Sequence, residues 1–207
     1  MIFLNLKLVI LDMEDKISRI ILCKKMNNYT IDNYITDLND GNKERMAKFI
    51  YERFFERYLE PFKGIKDKKK KNGFSLMAIA CLMIEALESF WQGLEDTKGR
   101  SREVFIEFFS HCEELKDFRG LEDEFYYDIR CGILHQAETR GGWRISRKRD
   151  VPLLDKENRI INANKFHLRL EEYLKNYRND LEILGLNSAR WTNFKKKMNS
   201  IIKNCQL

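Results

Sequence analysis

Residues 74–84 carry no charge, and Ser75 is their only polar side chain. A helix that is apolar on every side has to be enclosed by other elements. This demand constrains the chain more than any other feature, because it requires a centre with partners around it. Glu85 is the first charge to follow and Glu88 the second, before Trp91 and Gly93 end the element. Glu85 has two readings. Either it faces water where the helix leaves the core, or it is a carboxylate that needs a partner.

The partners are legible on both sides. Residues 43–59 form an amphipathic pattern, with Met46, Ile50, Phe54 and Tyr58 in one row and Tyr51, Phe55 and Leu59 in the next. Glu60-Pro61 ends that helix, since the residue before a proline is pushed out of helical geometry. Residues 102–118 place Val104, Phe108, Cys112 and Leu115 on one face, with His111 beside them as a packed or exposed histidine without chemistry. After Arg119-Gly120, the residues Leu121, Phe125, Ile129, Ile133 and Ala137 fall at four-residue steps, and Gly141-Gly142 stops this fourth helix. Four helices with short connectors predict an all-α fold, an up-down four-helix bundle with its core at 43–139.

Arg130 and His135 lie on the fourth helix but off its apolar stripe. Successive helical residues turn by about 100°, so the two diverge by about 140° and both are offered to a cleft or a partner. Gly132 lies between them, where it permits close approach of another helix or a local bend. An Arg and a His five apart on the last core helix of a helical domain resemble the HEPN superfamily, many of whose members are metal-independent ribonucleases of toxin–antitoxin, abortive-infection and CRISPR-associated systems. The resemblance covers about residues 43–139 and carries over Arg130 and His135 alone. It implies a homodimer with the Arg130–His135 helices at the two-fold seam, RNA as substrate, 2′,3′-cyclic phosphate products, and a host-defence or toxin role with a cognate antitoxin or regulatory protein. The position after the arginine, usually polar in active members, is Cys131 here. That departure favours the alternative, a non-catalytic HEPN-fold module that binds a nucleotide, an RNA or a protein.

The residue chemistry is compatible with a ribonuclease. RNA supplies its own 2′-hydroxyl nucleophile, an imidazole is suited to moving protons near neutral pH, and a guanidinium matches phosphate oxygens. Glu85 is the candidate orienting partner of Arg130, and Tyr127 and Gln136 are candidate supports of the cleft, each also readable as ordinary surface. A third reading makes Arg130 and His135 part of a structural salt-bridge network with Glu85 or Asp128.

Beyond residue 139 the periodicity changes. Residues 143–146 and 158–161 alternate like strands, predicting a β-hairpin or extended arm before two further helices. Arg140, Arg144 and Arg147, with Trp143, are candidate RNA contacts through phosphate pairing and base stacking. The competing reading makes Trp143 the plug of the bundle's end. The helix that opens at Phe166 ends at Gly185, and Asn187 or Ser188 caps the last one; His167 is assigned no role. Residues 140–207 are expected to pack on the bundle.

Residues 1–42 read as a lead-in. Within it, 2–11 form a strand or short helix, 17–23 a second apolar piece, and Asp40 or Asn42 the cap of the next helix; Met26 is an alternative start that would leave 1–25 outside the native chain. Residues 1–11 fall short of the roughly 20 apolar residues that span a bilayer, and they lack the marks of a secretory signal. No membrane partner and a cytoplasmic location are expected. The formal charge of +6 makes a polyanion a plausible partner, and the lysine-rich connector 63–73 is either a solvated loop or a phosphate contact. Five cysteines without paired short spacing suggest neither a disulfide framework nor a zinc site, so no cofactor and no metal are implied.

Overall fold

The computed structural model describes residues 17–63 and 72–205. The expectations for residues 1–16 and for the lysines at 64–71 lie outside the described residues. The fold is mainly helical with two small sheets. Strands β1 (Ile21–Cys23) and β2 (Tyr29–Thr30) pair antiparallel and lead into α1 (Ile31–Asn39). Helix α1 corrects the reading of 27–42 as a bare lead-in. Thr30 and Asn33 form a reciprocal capping box, Ile31 and Tyr34 are buried, and the Tyr29 hydroxyl donates to buried Asp37 at 2.6 Å. Leu22 and Cys23 are buried in the same core, and Arg53 and Arg57 both donate to the Leu22 carbonyl, so this segment belongs to the folded unit.

Asn42 caps α2 (Lys43–Phe54) by accepting from the Arg45 amide. The helix then widens into a π-helical turn, Phe55–Leu59, and tightens into a 3₁₀ turn, Glu60–Phe62, around Pro61. Helix α3 (Gly73–Gln92) is central: it packs against α4 (Ser101–His111), α6 (Ala163–Ile183) and α7 (Ala189–Asn204), and against α5. Helix α5 is continuous through Glu122–Glu124, a π-helical stretch Phe125–Arg130 and Cys131–Gln136. Although α3 has the length and apolarity of a membrane span, 61% of that window is buried inside the protein. Most of its apolar surface is covered by its neighbours, with Leu82 left exposed.

The third predicted helix is shorter than its hydrophobic pattern. It ends at His111, Cys112 is extended, and Glu113–Phe118 follows as a 3₁₀ stretch. That break delivers Phe118 to Phe125 and Phe166, with ring centroids 5.7 and 5.2 Å away. Helix α6 packs on both α2 and α3, and one continuous core runs from Leu22 to Met198.

The expected hairpin of residues 143–146 with 158–161 takes a different form. Strands β3 (Arg144–Ser146) and β5 (Ile160–Asn162) are parallel, and the antiparallel partner of β5 is β4 (Leu154–Asp155). Parallel strands cannot be joined by a tight turn, and the intervening chain with β4 supplies the longer connection. Ser188, one of the two predicted caps, accepts from the Trp191 amide at the start of α7.

Two histidines serve packing. His111 stacks on Trp91 with centroids 4.1 Å apart, and its Nε2 lies 2.8 Å from Glu88, which is fully buried and also accepts from Gln92 at 2.6 Å. The ring of His167 donates from Nε2 to the Tyr58 carbonyl at 3.0 Å, where the helix geometry changes after α2. Burial holds the His167 pKa below its ordinary 6.5, partly offset by that hydrogen bond. A histidine with a folded-state pKa below its unfolded one contributes stability above the unfolded value and loses it as pH falls. Stability to urea is therefore expected to decline as pH drops below 6.5, less steeply in a His167→Gln variant, as measured by denaturation curves across that range.

Candidate functional site

The site forms where the apolar run of α3 ends. Glu85 emerges one residue beyond it and meets Arg130 from α5: the Arg130 Nε and Nη2 both donate to Glu85 Oε1, at 3.1 and 2.9 Å. The two side chains are 17% and 15% exposed, so the pair is largely desolvated. The other carboxylate oxygen, Oε2, accepts from the hydroxyls of Thr97 and Ser101, each at 3.1 Å. Gly93 makes this arrangement reachable. In the left-handed conformation at φ 69°, it ends α3 and turns the chain toward Thr97 and the start of α4.

Arg130 is held from below as well. Its guanidinium lies 5.6 Å from the centroid of the half-buried Tyr126 ring, a separation at which a cation is attracted to an aromatic face. Burial acts to lower the Arg130 pKa, but the Glu85 carboxylate outweighs it and the value is raised above the ordinary arginine value. The guanidinium is charged throughout the working range.

His135 is exposed, and its Nε2 lies 3.4 Å from Arg130 Nη1. Arginine nitrogens only donate, so a hydrogen bond across this contact requires a lone pair on Nε2, that is, the tautomer with its proton on Nδ1. In that tautomer Nε2 is able to accept a proton. The long reach of the arginine brings together two residues whose helical positions diverge. Arg130 also ends the π-helical stretch, in which the Cys131 amide donates five residues back to the Tyr126 carbonyl. Such wide turns recur at functional sites.

Gly132 does not admit another helix. A Cβ there would meet the Glu138 carbonyl oxygen at 2.6 Å, so it is the chain just beyond the helix that folds back against it. The Arg140 amide secures the fold-back by donating to the Asp128 carbonyl at 2.9 Å. The helix also stops earlier than Gly141-Gly142, at Ala137, which takes the left-handed conformation with φ 56°. Both glycines lie beyond it in the loop, and a Cβ on Gly141 would collide with the Asp128 carboxylate.

The other predicted residues are dispersed. Tyr127 is exposed beside Tyr126, and Gln136 is exposed with its amide 3.4 Å from the Glu138 carbonyl. Trp143 is 6% exposed and packed into the core, so the plug reading holds and its ring is not available to a base. Arg140 is exposed, Arg144 is exposed and donates to the Asn158 carbonyl, and Arg147 is half-buried and donates to Asn164. Thr97, Ser101 and Tyr126 were missed. Tyr126 precedes Arg130 by four, a spacing that pairs side chains on a helix. The two hydroxyls reach Glu85 through a turn that no local pattern announces.

Among the described residues no group of three or more His, Cys, Asp or Glu is arranged to hold a metal ion. The chain matches no protein-family model, no curated protein and no solved structure.

Removing Glu85 strands a largely desolvated cation. Glu85→Ala is expected to cost about 1–3 kcal/mol in urea denaturation, with Glu85→Gln costing less because it retains acceptors. Ala137→Gly should stabilise by about 0.5–1 kcal/mol by relieving the left-handed strain. Gly132→Ala should destabilise by about 1–3 kcal/mol, because the methyl group has to displace backbone.

Proposed function

We propose that this chain is a HEPN-like, metal-independent endoribonuclease whose site is built on Arg130 and His135. The single observation that carries this reading is the arrangement of Arg130. It is clasped by Glu85, stays charged, and presents its Nη1 edge 3.4 Å from Nε2 of an exposed imidazole. On this reading α2, α3, α4 and α5 correspond to the four helices of an up-down HEPN bundle, and α6 and α7 are additions packed on it.

In the proposed reaction His135 takes the proton of a 2′-hydroxyl, and the 2′-oxygen attacks the adjacent phosphorus. Arg130 stabilises the charge that develops on the phosphoryl oxygens. The bond from phosphorus to the 5′-oxygen breaks, that oxygen takes a proton, and the products are a 2′,3′-cyclic phosphate and a 5′-hydroxyl end. One chain supplies one such imidazole. A homodimer with α5 at a two-fold seam supplies the second, which protonates the leaving oxygen, because a two-fold interface sets the same patch against itself. Leu82 and Leu134 support such docking: they are 46% and 38% exposed, within one helical turn of Glu85 and Arg130 respectively. A cytoplasmic defence or toxin role, held in check by a cognate antitoxin or regulatory protein, completes the proposal.

Cys131, in place of a polar residue, and the closure of Arg130 onto Glu85 favour a second reading, a non-catalytic module that binds RNA, a nucleotide or a protein. The test is incubation of purified protein with mixed RNA in EDTA. Cleavage leaving cyclic-phosphate ends is expected, reduced by about 10²–10⁴-fold in His135→Ala and by about 10²–10³-fold in Arg130→Ala, with circular dichroism unchanged. Absence of cleavage across several RNAs by the unmodified protein would sink the ribonuclease reading in favour of the module.

A further inference from the structure

Every Phe, Tyr and Trp among the described residues is buried or half-buried except one. Tyr127 is 50% exposed. Packing accounts for the rest of the aromatic complement, and nothing in the core accounts for this ring. It is nevertheless held in place, standing edge-on to Tyr126 with centroids 5.1 Å apart and planes at 78°. Tyr126 in turn lies beneath the guanidinium of Arg130. The three side chains form one connected series on α5, Tyr127 against Tyr126 and Tyr126 under Arg130.

We propose that Tyr127 is a stacking platform for an unpaired base of single-stranded RNA whose backbone phosphate lies on Arg130. The proposal rests on reading the Arg130–His135 face as an RNA site, and it names the substrate class of that site. Two considerations favour it. A rigid exposed ring next to a permanent cation is the pairing that holds single strands, with the ring stacking on a base and the cation meeting the backbone. In a duplex the bases are stacked on each other and their edges lie in grooves, so a ring on a convex helix face reaches only a base that is out of the stack. Arg102 lies near Tyr127 and pairs with Asp123 at 2.8 Å, so it adds no unpaired charge there.

The test is fluorescence anisotropy of a labelled single-stranded oligoribonucleotide of mixed sequence, and of the blunt duplex of the same sequence. Both are titrated with full-length protein in a His135→Ala background so that the probes survive. Adding Tyr127→Ala is expected to weaken single-strand binding by about tenfold, the usual loss for one stacked base, while Tyr127→Trp preserves it and duplex binding changes little. Circular dichroism and elution volume should match the parent in both variants. Equal binding with and without the ring, equal losses on strand and duplex, no binding by the parent, or a Tyr127→Ala protein that elutes as a smaller species would each overturn the platform; the last would make Tyr127 a subunit contact. Failure of the underlying reading looks different. Tyr127-dependent binding by an unmodified protein that cleaves no RNA would sink the ribonuclease and keep the platform. Cleavage by a protein whose binding ignores Tyr127 would do the reverse.

Discussion

The enclosure of α3 governs this structure. Residues 74–84 can be covered only by other apolar faces, and α4, α5, α6 and α7 supply them. The charged groups of α3 are confined to its C-terminal half, where two carboxylates emerge three residues apart. Glu88 points into the protein and is completely buried, so it needs His111 and Gln92. Glu85 points toward α5 at the edge of the core and needs Arg130. Each pairing follows from the cost of leaving a desolvated carboxylate alone. One pair ties the interior together, and the other defines the edge of the candidate site.

The difference between the two pairs is one of access. Glu88 and His111 sit under Trp91, whereas Arg130 keeps one nitrogen directed at exposed His135. Arg130 commits Nε and Nη2 to Glu85 and retains Nη1 on the His135 side. An arginine anchored in this way loses little further freedom when it meets an anion, because its rotamer is already set. Thr97 and Ser101 extend the anchoring by occupying the second oxygen of Glu85. The site is therefore braced by a turn and the first residue of α4, which belong to neither of the helices carrying its main charges.

Much of the mainly helical character was legible because long apolar periods tolerate few alternatives. Met46, Ile50 and Phe54, and likewise Phe125, Ile129 and Ile133, are buried as their spacing requires. The misreadings share a cause. Helix α1 hides in a polar stretch because its buried face is short, and it is specified by the cap at Thr30 more than by hydrophobic repeats. Residues 102–118 keep a helical pattern across a break at Cys112, since an extended residue shifts the face without changing which side chains are apolar. Strands β3 and β5 alternate correctly, but alternation carries no information about whether a pair runs parallel or antiparallel. Trp143 illustrates the same limit: a tryptophan among arginines reads equally as a base platform or a core plug, and only its depth decides.

What the sequence by itself determined is the presence of an enclosed helix, a basic chain, and an Arg–His pair lying off an apolar stripe. Periodicity and burial energy act locally along the chain, so they can be read there. Tertiary structure decided which carboxylate holds Arg130, that the hydroxyls of Thr97 in the turn after Gly93 and of Ser101 at the start of α4 hold the carboxylate, and that Gly132 accommodates the returning chain at Glu138. It also decided that Tyr127 alone among the described aromatic rings is left exposed. These outcomes depend on contacts between residues far apart in sequence, whose partners are selected by the packing of whole helices and not by the residues beside them.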